Sequence, residues 1–241
     1  VSIEQTIEGD SKSHPLHYVD WENPENNVYH VATEPVITRQ GGKTHDEERG
    51  RSTTVRRPDL VLYVNGIPFT VIEFKRRDKK LSVEAGIRQM QRNQKPDEIS
   101  RLFHYAQLLI AAQPNDVRYG TTKTKREFWT LWREQGTDVD AKLAPLLESD
   151  GPQGGSREAR EQDRALWSLC RPERLLTLSY RYVVYDGGTK KIARYQQYFA
   201  TEKILRRVRQ RNEKGQRKGG VVWHTQGSGK SLTMVFLAKG L

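Results

Sequence analysis

Cysteine is nearly absent: Cys170 stands alone among 241 residues. One thiol excludes an internal disulfide framework and a cysteine-built zinc cluster. Methionine is scarce as well, with two residues. Long apolar runs are missing. Leu60–Val64, Leu108–Ala112 and Met234–Ala238 are the longest stretches of interest, far short of a bilayer span. Val1 to Asp10 shows no basic-then-apolar leader. These absences leave a polar chain, mean hydropathy −0.82, expected in a reducing compartment, the cytoplasm, with no membrane partner. Acid is in deficit too: 41 Lys and Arg face 30 Asp and Glu, a net charge of +11. A polyanionic partner, nucleic acid first, fits that imbalance.

What is present becomes ordered after residue 55. Residues 1–55 read as polar and irregular, with a strand over Val28 to Ile37 and a charged loop over Gly41 to Thr53. Leu60 to Val64 and Phe69 to Phe74 read as strands joined at Asn65-Gly66, the pair that favours a tight hairpin turn. Val83 to Gln94 has helical spacing with Ile87 and Met90 as inward anchors. Phe103 to Ala112 reads as a helix, or a helix running into a strand, and Val117 to Thr121 as an edge strand. Strand, hairpin, helix and further strand make a mixed α/β domain. Residues 136–164 show little periodicity, and Ser149 to Ser156 reads as a loop or linker. Tyr182 to Tyr185 suggests a strand and Ile204 to Gln210 a helix.

Two constellations carry chemistry. The first is Pro58-Asp59, the hairpin, then Glu73-Phe74-Lys75. Glu73 and Lys75 lie two apart on a strand and so share a face. The hairpin folds the Asp59 end back beside them. Two carboxylates and an ammonium at a sheet rim suit metal-assisted phosphodiester hydrolysis. Asp59 and Glu73 would hold Mg²⁺ through hard oxygens, and Lys75 would position water and offset phosphate charge. A solvated strand rim produces the same spacing; the hairpin and the apolar company of Glu73 favour the site. Gln89 and Gln91 on the following helix offer a contact to water or phosphate, or are ordinary surface residues.

The second constellation is Thr225-Gln226-Gly227-Ser228-Gly229-Lys230-Ser231, after Val221-Val222-Trp223 and before an apolar helix. A strand feeding a glycine-rich loop and a helix makes a phosphate cradle. Lys230 would reach the β- and γ-phosphates of ATP, and Ser231 would ligate Mg²⁺. His224 stands where the common phosphate loop has its first glycine, which points to the helicase-like variant. Gln197, about 30 residues upstream, is placed to read an adenine edge.

The blocks RRPDLVLYVNGIPFTVIEFKR (56–76), EAGIRQMQRNQ (84–94), KKIARYQQYFA (190–200) and GGVVWHTQGSGKSLTM (219–234) carry a resemblance to one family. With NNVYHVATE (26–34), they resemble the restriction (motor and nuclease) subunit of type I restriction-modification enzymes. The resemblance implies an α/β, PD-(D/E)xK nuclease-like mixed sheet with flanking helices. It implies that the first strand, loop and helix of a RecA-like helicase domain follow. It divides the chain into an endonuclease domain at 1–175, and a linker with the truncated start of the helicase or translocase ATPase at 176–241. Asp59, Glu73 and Lys75 fall on the nuclease core positions, and Gln89 on the glutamine of a Gln-x-x-x-Tyr element whose tyrosine position here holds Asn93. Gln197 falls on the adenine-reading glutamine. A further N-terminal segment, which adds an acidic residue to the metal site in the family, is not in this sequence. Neither are the later motor elements, so ATP hydrolysis is not expected of this chain by itself.

By the same resemblance the partners are double-stranded DNA and the methyltransferase and specificity subunits of the complex. The cofactors are Mg²⁺ and, in the full protein, ATP. The function implied is that of a type I site-specific deoxyribonuclease, with cleavage coupled to ATP-driven translocation. Two other readings compete: a non-cutting DNA-binding or docking module, and a helicase-type motor with an accessory front domain.

Overall fold

The computed structural model describes every residue except 1, 9, 16, 47–50, 77–81, 135–138, 152–153, 224–226 and 228. Its centre is a five-stranded sheet: β1 (Tyr29–Thr33), β2 (Leu60–Val64), β3 (Ile67–Phe74), β4 (Leu108–Gln113) and β5 (Asp116–Gly120). The spatial order is β5-β4-β3-β2-β1. Neighbours are antiparallel except β3 and β4, which run parallel. Helix α1 (Val83–Asn93) makes the crossover that a parallel pair requires.

The β2–β3 turn follows from its residues. Asn65 and Gly66 both have positive φ, +49° and +80°, the backbone that matches the twist of a two-residue hairpin. The Asn65 side chain then does a second job. Its amide nitrogen donates to the Tyr18 carbonyl and to Asn27 Oδ1, and its oxygen accepts from the Val28 N–H. The lead-in to β1 is thereby tied to the hairpin tip.

Both faces of the sheet are covered, which explains why β3 and β4 are apolar without alternation. On one face Val61, Val71, Leu109 and Ala111 pack under Val83, Ile87 and Met90 of α1. On the other face Ile72, Leu108, Ile110 and Tyr119 meet α3 (Glu161–Cys170), α4 (Pro172–Arg181), α5 (Tyr195–Arg209) and α6 (Lys230–Gly240). The result is a mixed β-sheet flanked by helices. Between β5 and α3, helix α2 (Val139–Leu147) has its own small cluster of Val139, Leu143 and Leu147 under Ala159 and Trp167. A two-stranded ribbon, β6 (Val183–Asp186) and β7 (Thr189–Ile192), precedes α5. No helix among the described residues is long and apolar enough to cross a membrane.

Several expectations need correction. The front of the chain is more ordered than its polarity implied. Ser2–Ile7 pairs with Asp10–Pro15, and Thr44–Asp46 with Arg51–Thr53, inside the stretch expected to be a loop. Backbone pairing needs no apolar side chains, so hydropathy does not register it. The expected strand over Val28 to Ile37 is broken: β1 ends at Thr33, Glu34 takes φ +46°, and Ile37–Thr38 pairs separately with Val55–Arg56. Phe103 to Ala112 holds no α-helix; a 3₁₀ turn, Ser100–Phe103, leads into β4. Val139–Leu147, read as aperiodic, is helical. The clearest departure is Val221 to Trp223, expected as a strand. It is irregular, and Val221 and Trp223 are 96% and 91% exposed. A strand needs a neighbour for its N–H and C=O groups, and no described strand lies beside it.

Candidate active site and nucleotide loop

The C-terminal end of β3 gathers the first constellation. In the β2–β3 register Leu60 lies opposite Ile72, which carries Asp59 to the level of Glu73 and Phe74. Asp59 Oδ2 accepts the Phe74 N–H at 2.6 Å. Glu73 is fully buried, and its neighbour across the parallel pair is Ala111. A carboxylate at such depth needs polar company. Gln89 supplies part of it from α1. Its Nε2 donates to Glu73 Oε2 at 2.7 Å, while its Oε1 accepts from Lys75 Nζ at 2.5 Å. One amide thus spans carboxylate and ammonium, and the chemistry of its two ends fixes its orientation.

Gly86 makes this approach feasible, and the sequence reading did not single it out. A Cβ there would lie 3.2 Å from Ala111 Cβ and 3.7 Å from Lys75 Cγ. Glycine therefore lets α1 lie close on β4, one turn before Gln89. The two candidate glutamines are separated by the fold. Gln91 turns away, and its Nε2 donates to the Thr124 carbonyl at 3.2 Å. Asn93 is buried and accepts at 3.3 Å from the Arg92 guanidinium. Of the basic run after Lys75, residues 77–80 lie outside the described residues.

A second feature was missed. Arg39, Arg56 and Glu98 form a buried triad, of which Arg56 stands three residues before Asp59. Glu98 accepts from Arg39 at 2.9 and 3.2 Å and from Arg56 at 2.8 and 2.9 Å. Burial pushes the Glu98 carboxyl up, but hydrogen bonds and charge from both guanidiniums outweigh it and hold it at about 2. Main-chain bonds from Gln40 to Glu98 and from Gly41 to Asp97 extend the joint. Glu98 follows the helix that carries Gln89, so the carriers of Gln89 and Asp59 are pinned at one point.

The donor set suits a hard divalent ion. Mg²⁺ takes one or two carboxylates and completes its shell with water and substrate phosphate. Among the described residues no group of three or more His, Cys, Asp or Glu side chains stands ready to hold a metal.

The second constellation lies where α5 meets α6. Gly227 and Gly229 have φ of +75° and +82°, and α6 begins at Lys230. Lys230 and Ser231 are exposed on its first turn. An eleven-residue helix opening after a glycine turn presents N–H groups and a positive dipole end. Thr225, Gln226 and Ser228 lie outside the described residues. Gln197 is brought to this loop. It is buried, its Oε1 accepts the Arg194 N–H at 2.9 Å, and its Nε2 donates to the Gly229 carbonyl at 3.0 Å. A Cβ at Gly229 would fall 2.5 Å from that nitrogen. Both ends of the amide, read in sequence as an adenine sensor, here hold the helix start and the loop together.

One core joins the two regions. Trp132 packs against Tyr119 of β5 and against Tyr198 and Phe199 of α5. Arg174 lies 4.5 Å from the Tyr198 ring centroid and forks onto Glu134 at 2.8 and 3.0 Å. Tyr119 Oη donates to the Ala193 carbonyl at 2.8 Å.

Comparison with known proteins adds the following. The family described as type I restriction enzyme R protein N terminus matches residues 1–128, and the SWI2/SNF2 ATPase family matches residues 196–241. The type I restriction enzyme HindI endonuclease subunit of Haemophilus influenzae is 34% identical over 247 aligned positions, covering 99% of this chain and 21% of that protein. The type I restriction enzyme SauCOLORF180P endonuclease subunit of Staphylococcus aureus is 25% identical over 182 positions, covering 73% of this chain and 17% of that one. The chain spans about a fifth of the length of these curated relatives.

Proposed function

The chain belongs to the type I restriction enzyme R protein family through its N-terminal region, and from that premise we propose that it is the nuclease part of a type I restriction subunit, joined to the start of an ATP-driven DNA translocase. In this reading residues 1–175 form a PD-(D/E)xK nuclease-like domain that cuts double-stranded DNA. Residues 176–241 are the linker and opening of a RecA-like helicase domain. The methyltransferase and specificity subunits complete the complex and choose the sequence.

The observation that carries the proposal is the Gln89 amide spanning Glu73 and Lys75 beside Asp59. Asp59 and Glu73 would hold Mg²⁺. When bound, that ion neutralises charge on the scissile phosphate and acidifies water. Lys75, steered by Gln89, orients the attacking water and offsets negative charge growing on the phosphate oxygens. Gln89 keeps the ammonium and the carboxylate at a fixed separation. At the second site Gly227, Gly229, Lys230 and Ser231, with Thr225, Gln226 and Ser228 of the same motif, would take the phosphates of ATP, and Gln197 would belong to the same site.

The test is divalent-ion binding followed by cleavage of duplex DNA, for this chain and for Asp59→Ala and Lys75→Ala. The proposal expects Mg²⁺ or Mn²⁺ binding to be lost in Asp59→Ala and kept in Lys75→Ala, with cleavage lost in both. Equal metal binding in all three proteins with no cleavage would retire the nuclease reading in favour of a docking module. Metal binding lost in Asp59→Ala without cleavage by the native chain would mean a formed site that fires only in the assembled complex.

A further inference from the structure

Beyond α5 the chain makes a small hairpin that contributes nothing to the core. Lys218 N–H donates to the Gln210 carbonyl, Asn212 N–H to the Gln216 carbonyl, and Arg211 bridges Arg217. Asn212 Oδ1 accepts from the N–H groups of Lys214 and Gln216 and closes the tip. The backbone is therefore ordered by its own bonds. Yet every residue from Arg209 to Gly220 is exposed. The hairpin protrudes, and no apolar anchor explains it.

Its charge is lopsided. From Lys203 to Lys218 there are eight Lys or Arg and one acid, Glu213, a net +7 within a chain whose total is +11. All eight cations are exposed. Among the described residues none of them makes an ion pair with a carboxylate. Favourable interaction with a helix C-terminus accounts for Arg206, Arg207 and Arg209 in the last turn of α5. It does not reach Arg211, Lys214, Arg217 and Lys218, which lie past the helix end. Helix and hairpin cations also converge: Lys203, Arg207 and Lys218 line one groove of about 850 Å³. The net +7 is spread over the end of α5 and the hairpin, with Arg211, Lys214, Arg217 and Lys218 against Glu213 on the hairpin itself, and such charges repel each other until a polyanion covers them.

We infer that the C-terminal turn of α5 and the hairpin 210–218 form a binding site for the phosphate backbone of duplex DNA, separate from the Glu73 site. The choice of DNA among polyanions rests on the nuclease reading. The site reads no bases, because phosphate contacts carry register and orientation but not sequence. Its role is to hold the duplex on the motor side of the chain.

The experiment is fluorescence anisotropy with a duplex of about 20 base pairs, in EDTA, from roughly 50 to 300 mM salt. The whole chain is compared with R211Q/K214Q/R217Q/K218Q. Because Arg211 also donates to the Gly215 carbonyl, a second variant, R206Q/R209Q, alters helix residues alone, and both are checked for unchanged melting. Each lost phosphate contact should flatten the plot of log K against log salt by about 0.9. Affinity at low salt should fall at least tenfold in the first variant and by a smaller factor in the second. An unchanged slope in both variants overturns the inference. So does an equal loss of affinity for a polyglutamate of matching charge, which would assign the surface to an acidic protein. Duplex binding through the hairpin with no cleavage under any condition would sink the nuclease reading alone; cleavage with an unchanged slope in the hairpin variants would sink this one alone.

Discussion

Replacing Glu98 by Gln should be among the most damaging single changes in the chain. The side chains of Arg39, Arg56 and Glu98 are each no more than 5% exposed, and the glutamate receives four charge-assisted hydrogen bonds. Glutamine keeps the volume but removes the carboxylate that the two buried guanidiniums share, leaving Arg39 its ion pair with the exposed Asp97 at 3.2 Å. Breaking a buried pair by removing one partner costs about 3–5 kcal/mol. In a chain of this length that lowers Tm by about 6–20 °C, using roughly 2–4 °C per kcal/mol. Circular dichroism melting measures the shift, and hydrogen exchange should find the segments at 37–42 and 54–59 opening first. The pH arm follows from the depressed carboxyl. Its contribution is fully present above the ordinary glutamate value of 4.5 and is lost as pH falls toward about 2. Native protein should lose stability across that window more steeply than Glu98→Gln, which has no such carboxylate. A drop of less than about 1 kcal/mol at neutral pH, or parallel acid profiles, would refute the reasoning. An apolar replacement of all three, R39M/R56L/E98L, should recover much of the loss, because burying no charge avoids the desolvation cost.

The remaining predictions concern the two sites and the thiol. Gln89→Ala removes the bridge between Glu73 and Lys75 and should lower the cleavage rate by about 10²-fold or more, read in single-turnover assays, while melting changes much less. Gly86→Val forces side-chain carbons against Ala111 and Lys75; overpacking should cost about 1–3 kcal/mol in denaturant unfolding and weaken divalent-ion binding by moving α1 outward. Gly229→Ala meets both a left-handed backbone and the Gln197 amide, so binding of a fluorescent ATP analogue should be abolished, whereas Gly220→Ala should leave it within a factor of about two. Cys170 is half-buried and its thiol is pushed up to about 12 by burial; at pH 8 it should alkylate much more slowly in the native chain than in denaturant, as mass spectrometry would show.

The legible parts were those that depend on near neighbours. Asn65-Gly66 announced its hairpin because two residues that tolerate positive φ are enough to set the turn. The spacing of Ile87 and Met90 announced α1, and the apolar Leu108 to Ala112 run announced a covered segment, though not that it was strand from its start. Glu73 and Lys75 could be placed on one face by alternation, and Gly229 at a helix start by its sequence context. Local φ/ψ preference and periodicity are properties of the chain itself, so the sequence by itself determined these elements.

Tertiary structure alone decided which partner each polar group found. Glu98 meets Arg39 and Arg56 across 59 and 42 residues, and no spacing rule links them. Gln89 and Gln91 are equivalent by composition; only the seat of α1 on β4, allowed by Gly86, turns one to Glu73 and the other to Thr124. Gln197 was legible as a polar residue near a phosphate loop, but its grip on the Gly229 carbonyl depends on how α5 crosses α6. Val221 to Trp223 makes the same point from the other side: strand propensity becomes a strand only when a neighbouring backbone receives its hydrogen bonds. A buried charge or an unpaired backbone group must be satisfied somewhere, but which atom satisfies it depends on packing between segments remote in sequence.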